Sequence, residues 1–161
     1  MLTKSVRDLI NLQINKEMYS SYLYLAISNF YKSKNLNGFA RWFEKQAQEE
    51  LAHAMKFNSY LYEEGEEVAL DTILAPKVTF KTVKEPLVAA YEHEKTITAS
   101  INRIYQETLK VGDFRTMLFL NWFVEEQREE EANALALVEK YDLATAESAT
   151  YLLDKEVGAR Q

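Results

Sequence analysis

An acid and an imidazole lie three residues apart in a segment that otherwise follows the pattern of an apolar helix face. They are Glu50 and His53, and their spacing puts both side chains on one side of a single helical turn. The apolar stripe around them consists of Phe39, Phe43, Ala47, Ala54, Phe57 and Leu61. Because an ionised carboxylate is costly to bury alone, this position requires a hydrogen bond, an ion pair, a retained proton or a bound metal.

Acidic and amide side chains interrupt three other apolar stripes at equivalent places. Glu17 lies in the first stripe, Glu94 in the second, and Gln127 with Glu130 in the third. The stripes are Val6, Ile10, Ile14, Ser21, Tyr24 and Ile27; Leu87, Ala90, Tyr91, Thr98, Ile101, Tyr105 and Leu109; and Leu120, Phe123, Ala134, Leu137 and Tyr141. One such glutamate is usually a solvated surface group. Four inward carboxylates, however, would repel one another unless protons are retained or cations bind, and two divalent ions would neutralise them.

The elements that position these residues are long helices, because the chain has only four glycines and two prolines to interrupt them. The predicted helices run from near Ser5 to about Lys32, near Asn37 to Gly65, about Pro86 to Val111, about Phe114 to Tyr141, and Thr145 to about Glu156. The spacing of Ser5 and Asp8 resembles a capping box. Two short connections and one long crossover, between Gly65 and Glu85, indicate an all-α four-helix bundle with parallel second and third helices. We expect a single domain over residues 1–161.

Composition excludes several classes of function. The formal charge of −6 disfavours nucleic-acid binding and favours attraction of cations. The absence of cysteine excludes disulfides, thiolate metal sites and iron–sulfur clusters, so a metal must be held by carboxylate, imidazole or amide groups. No stretch approaches the about 20 apolar residues of a membrane span, and no signal-peptide core is present. A cytoplasmic protein without membrane contact is the expectation.

Taken in order, Glu17, Tyr24, Glu50-x-x-His53, Glu94 and Gln127-x-x-Glu130 form a constellation. With the helix lengths and the short C-terminal helix, it resembles the non-haem bacterial ferritins of the ferritin-like di-iron family over essentially the whole chain. The resemblance implies a ferritin-like bundle and a ferroxidase that oxidises Fe(II) with dioxygen or hydrogen peroxide. It also implies storage of ferric mineral in a 24-subunit homo-oligomeric shell, for which we predict dimers as the local unit.

The resemblance also implies roles for individual residues. Glu17, Glu50 and His53 would bind the first iron, with Glu50 bridging to a second iron. That iron would be held by Glu94 and Glu130, while Gln127 would orient the site or oxygen. Tyr24 would be a hydrogen-bond partner or a one-electron donor. A third iron site would use Glu49, Glu126 and Glu129, although a run of acids is usually a solvated face. Asp113 is a candidate acid on the iron access path.

Departures from related groups narrow the subfamily. Bacterioferritins have a haem-ligating methionine directly after the glutamate of the second-helix motif, where this chain has Leu51, so haem is not expected. A chain without cysteine cannot contain the iron domain of rubrerythrins. The small DNA-protecting relatives lack the C-terminal helix that is predicted here, so this chain does not fit that group well. His93 is interpreted as a structural or surface residue, because its neighbour Glu94 already faces inward.

Two alternatives to iron storage remain at this point. One is a ferritin-like dimetal enzyme acting on peroxide or an organic substrate without a cage. The other is a structural or interaction bundle whose inward acids are protonated or surrounded by water. A second apolar line on the first helix, formed by Leu12, Tyr19, Leu23 and Phe30, needs a partner, which is either the long connection or another subunit.

Overall fold

The computed structural model describes residues 2–161, and within that range it contains helices and no strands. The helices are α1 Lys4–Ser33, α2 Asn37–Glu63, α3 Glu85–Val111, α4 Phe114–Leu143 and α5 Glu147–Gly158. The predicted all-α bundle with a short fifth helix is confirmed. The first helix starts within one residue of the predicted Ser5, but the predicted cap is wrong, since the Thr3 side chain caps α1 by accepting from the Val6 amide.

The long connection between α2 and α3 runs along α1 from one end to the other. Near the start of α1, Glu66 accepts from the Leu2 amide. In the middle, the Asn15 side chain donates to the backbone oxygen of Thr72, and near the end Tyr31 donates to that of Val83. Since α2 begins at the end of α1 and the connection returns to that end before α3, α2 and α3 are parallel, as predicted.

The interior contains two apolar clusters separated by a polar layer. One cluster, near the α1–α2 turn, includes Tyr24, Tyr31, Phe39, Phe43 and Leu137. The other, near the α3–α4 turn, includes Ile10, Phe57, Ile101, Leu120 and Phe123. On α2 the last buried apolar residue of the first cluster is Ala47 and the first of the second is Phe57. Glu50 and His53 lie between them.

Helix α5 docks on the start of α2 through a close backbone approach. A Cβ at Gly38 would lie 1.7 Å from the backbone oxygen of Asp154, so only glycine fits there. The Asp154 side chain accepts from the Phe39 amide at 2.9 Å. A carboxylate from α5 thus caps α2, whose N-terminus has no side-chain cap of its own.

Two interpretations of apolar stripes need revision or refinement. Leu109 is 61% exposed, contrary to prediction. Because a helical turn takes 3.6 residues, the inward position one turn after Ile104 falls on Thr108, which is buried. The second line on α1 is partly covered by the long connection, since Phe30 packs edge-on against Phe80, whereas Leu12 stays exposed.

Across residues 2–161, no helix has the length and apolar character needed to cross a bilayer.

Candidate metal centre

Four carboxylates meet in the polar layer between the two apolar clusters. Glu17, Glu50, Glu94 and Glu130 come from α1, α2, α3 and α4 respectively, and each is at most 5% exposed. His53 from α2 is buried beside them. No lysine or arginine among residues 2–161 is buried with them. The layer therefore contains four acids and no permanently charged base to neutralise them.

The ligand atoms of these residues form overlapping sets that are compact enough for metal ions. One set is Glu17, Glu50 and His53, and another is Glu50, Glu94 and Glu130, with the ligand atoms of each set within 4.8 Å of one another. Glu50 belongs to both sets. The sequence therefore predicted residues that the fold does bring together, and Glu50 is the residue that these two sets share.

Amide and hydroxyl groups hold the carboxylates from outside. Gln13 donates to Glu17 Oε1 at 2.7 Å, and Gln46 donates to Glu50 Oε1 at 3.1 Å and to Glu130 Oε2 at 2.5 Å. On the opposite side, Gln127 donates to Glu94 Oε2 at 3.1 Å. The Tyr24 hydroxyl also donates to Glu94. Each carboxylate is thus oriented by at least one donor.

Burial raises the pKa of all four acids, and repulsion from another of these acids adds to the effect for Glu17, Glu50 and Glu130. Desolvation is the main cause for Glu17, with the Glu50 charge next, and desolvation followed by Glu94 raises the pKa of Glu50. Desolvation also raises the pKa of Glu94. For Glu130, desolvation and then Glu94 raise the pKa to about 8. Without cations, the cluster therefore retains protons near neutral pH.

The donor set fits divalent iron, and one carboxylate oxygen in it has no hydrogen-bond partner. Glu17 Oε2 is buried without a hydrogen-bond partner, while its other oxygen is held by Gln13. A buried acceptor without a partner is costly. Carboxylates with one imidazole suit Fe(II) and similar hard or borderline ions, so a cation at this oxygen would satisfy both the acceptor and the charge.

The acids predicted for a third site lie in different surroundings. Glu126 Oε1 is 3.6 Å from His53 Nε2, and Glu126 forms a third compact set with His53 and Glu130. Both Glu49 oxygens accept from Arg160 at 2.7 Å, and Glu129 is exposed. Among residues 2–161, neither Glu49 nor Glu129 belongs to a compact ligand set.

His93 and Asp113 have structural partners. The Ser20 hydroxyl donates to the Lys16 backbone oxygen, so Ser20 accepts from His93 Nε2 at 2.7 Å. The His93 ring packs edge-on against Tyr24, and burial lowers the pKa of His93 to about 4, which keeps the ring neutral. Asp113 caps α4 by accepting from the Thr116 amide at 3.0 Å; its place on an access path remains a prediction.

Sequence reasoning named Gln127 and Tyr24 as residues around the ligands but missed Gln13, Gln46 and Arg160. Gln13 and Gln46 each precede a ligand glutamate by four residues on the same helix face, and this spacing is a signal that could have found them. Arg160 carried no such signal, because it reaches the site only through the docking of α5 on α2.

A four-helix bundle with buried carboxylates from all four helices and a Glu-x-x-His motif is the arrangement of the ferritin-like class of dimetal proteins. This chain departs from that pattern on α4, which carries Gln127-x-x-Glu130 where the class has a second Glu-x-x-His motif. Residues 7–144 match the family model described as a ferritin-like domain. The predicted resemblance is confirmed, and the chain belongs to the ferritin-like family.

The relatives agree with this assignment over nearly the whole chain. A protein of Campylobacter jejuni described as a bacterial non-heme ferritin is 41% identical over 89% of this chain and 86% of its own. A probable bacterial non-heme ferritin-like protein of Haemophilus influenzae is 37% identical over 98% and 96% of the two chains. Among solved structures, an open-pore ferritin of the archaeon Archaeoglobus fulgidus superposes with a TM-score of 0.98 at 38% identity, covering 100% of both chains.

Proposed function

We propose that this protein is an iron-storage ferritin with ferroxidase activity. The observation that carries the proposal is the pair of ligand sets that share Glu50, in a layer with four buried acids and no buried lysine or arginine within residues 2–161. Membership in the ferritin-like family supports iron as the cargo. Iron is thus a substrate of this centre: it arrives as Fe(II), is oxidised and leaves as Fe(III).

The reaction balances with two Fe(II) ions and one dioxygen molecule. Each Fe(II) loses one electron, and dioxygen accepts both electrons and two protons to become hydrogen peroxide. Glu17 and His53 hold one ion, Glu94 and Glu130 hold the other, and Glu50 serves both. Gln127 keeps Glu94 oriented through its amide. Tyr24 is held against Glu94 by its hydrogen bond, and its service as a one-electron donor is part of the proposal.

A third iron would bind beside the pair. The compact set of His53, Glu126 and Glu130 supports this position, and the predicted ligands Glu49 and Glu129 would have to turn toward it. No haem is expected, because the residue after Glu50 is Leu51 and not methionine.

The storage function requires an assembly, and we propose a 24-subunit shell built from dimers. An open groove of about 500 Å³ is lined by the apolar side chains of Tyr22, Leu25, Leu51 and Ile73. A second copy of the chain would cover this groove. The decisive experiment is aerobic Fe(II) loading followed by particle sizing. A large iron-rich particle is expected, whereas monomers at micromolar concentration would exclude storage in a shell.

The metal centre is tested separately by anaerobic Fe(II) titration. Wild-type protein should bind two ions saturably, and Glu50→Ala should weaken both, because both ligand sets contain Glu50. Glu63→Ala, an exposed acid on the same helix, is the matched control and should bind as wild type. Absence of saturable binding in wild type would favour a structural bundle with protonated acids.

His53→Ala separates oxidation from assembly. The variant should oxidise Fe(II) more slowly, because one of the two sets that share Glu50 loses its imidazole, while particle size stays that of wild type. Dissociation of the shell by this change would contradict the assigned role. Iron that is oxidised but not retained in wild-type particles would instead indicate a dimetal enzyme acting on another substrate.

A further inference from the structure

Arg160, two residues beyond the end of α5, lies against the side of α2 that faces the metal centre. Its Nη2 donates to both oxygens of Glu49 at 2.7 Å, and its Nη1 donates to Gln46 Oε1 at 3.0 Å. The guanidinium also lies over the Trp42 ring, 4.6 Å from its centroid. Only 22% of the side chain is exposed. The guanidinium is therefore fixed at several points along α2.

The contact with Gln46 determines which end of the amide faces the acids. A primary amide has one acceptor end and one donor end, and a guanidinium can only donate. Arg160 therefore requires Gln46 Oε1 to point toward it, which leaves Gln46 Nε2 to donate to Glu50 and Glu130. In the flipped orientation, the amide NH₂ would face the guanidinium and the amide oxygen would face carboxylate oxygens. Both contacts would be repulsive.

The contact with Glu49, in contrast, works against the binding of a cation. Both Glu49 oxygens are occupied by the guanidinium in a two-point, charge-assisted interaction. A cation that used Glu49 as a ligand would have to displace Arg160. The same side chain therefore supports ligands of the pair and withholds a ligand from any third ion.

We propose that Arg160 is a positioning residue of the metal centre: through Gln46 it holds Glu50 and Glu130 for the paired ions, and through Glu49 it competes with a third ion. The inference rests on the proposed function, since it assigns a role around the same ligands. The proposal predicts that loss of the Arg160 guanidinium weakens metal binding at the paired sites and strengthens binding of a third ion. General structural damage would not produce these opposite effects.

The test is anaerobic titration with Co(II), whose visible absorption reports its coordination geometry. Arg160→Met keeps an apolar stem over Trp42 and removes the guanidinium. It should weaken binding at the paired sites by about tenfold, the lower end of the range for residues behind metal ligands. Binding of a further equivalent, which Arg160 no longer opposes at Glu49, should strengthen. Arg160→Lys should recover part of the paired-site affinity, because lysine can still donate to Gln46.

A double-mutant cycle tests whether Arg160 acts through Gln46. Gln46→Leu should also weaken the paired sites, and Arg160→Met should add no further weakening in that background. Lys45→Met is the matched control, since Lys45 donates to the Arg160 backbone oxygen at 3.0 Å and so tethers the same segment. It should leave Co(II) affinity and spectrum unchanged.

Several outcomes would overturn the inference. These are additive effects in the cycle, uniform weakening at every site, or wild-type binding by Arg160→Met. If Arg160→Met does not fold by circular dichroism and particle sizing, Gln46→Leu decides: unchanged paired-site binding and an unchanged Co(II) spectrum would contradict a role of Arg160 through Gln46. Failure of wild type itself to bind Co(II) saturably would contradict the proposed function, which distinguishes the two failures.

Discussion

On each of the two sides of the proposed metal centre, a glutamine amide donates to the carboxylates, but the two amides are anchored in different parts of the fold. On the Glu17 side, Gln13 Nε2 donates to the ligand, and Gln13 Oε1 accepts from the Ser100 hydroxyl at 2.6 Å. Ser100 in turn accepts from Lys16 at 2.7 Å. On the Glu50 side, Gln46 donates to the ligands, and its oxygen accepts from Arg160.

The difference lies in what each amide depends on. The anchors of Gln13 are on α1 and α3, so they are in place whenever the bundle is packed. The anchor of Gln46 lies beyond α5, outside the four long helices. In addition, Gln13 contacts one ligand whereas Gln46 contacts two. One side of the centre therefore depends on the bundle alone, and the other also depends on the docking of α5.

The largest effect should come from removing a ligand on one side only. Glu17→Ala should abolish binding of one of the two Co(II) equivalents, and Glu94→Ala should abolish binding of the other. The reason is that, among the compact ligand sets within residues 2–161, Glu17 and Glu94 each belong to one set only. Affinity for the lost ion should fall by more than about 100-fold, since loss of a ligand exceeds loss of its support. Anaerobic calorimetry measures both stoichiometry and affinity. Loss of both ions in either variant would show that the two sides are not separable.

The proposed ligands could be predicted from the sequence because they lie on the inward faces of helices. A helical period of 3.6 residues determines which side chains face inward, and this located Glu17, Glu50, His53, Glu94 and Glu130. It does not determine which distant segments meet. The Ser100 contact with Gln13 and the Arg160 contact with Gln46 join residues 87 and 114 positions apart. Such contacts depend on packing between helices, which periodicity within one helix cannot reveal.

A smaller effect should come from removing the amide support. Gln13→Leu should weaken one Co(II) equivalent by about 10-fold to 100-fold, as expected for a residue behind a metal ligand. Because Gln46 contacts ligands of both sets, Gln46→Leu should weaken both equivalents. Gln106→Leu, at an exposed position of α3, is the control and should bind as wild type. Equal effects of Gln13→Leu on both ions would contradict the inference that Gln13 supports only one side of the centre.

The smallest effect should be the pH dependence of stability in the metal-free protein. Burial, followed by the Glu94 charge, raises the pKa of Glu130 from 4.5 to about 8. Between these values the unfolded chain loses the proton and the folded chain keeps it. The folded state therefore binds more protons, and stability falls as pH rises through this window. The midpoint of thermal unfolding should be a few degrees lower at about pH 8.5 than at about pH 5.5.

Two variants connect this pH dependence to the two amides. Glu130→Gln should reduce the pH dependence, because that residue no longer titrates. Gln46→Leu should steepen it more than Gln13→Leu, since Gln46 stabilises the ionised forms of two acids and Gln13 of one. Saturating Co(II) should reverse the slope, because the metal binds the deprotonated ligands only in the folded state. Metal-free stability that rises with pH across this window would show that the four acids are ionised without cations.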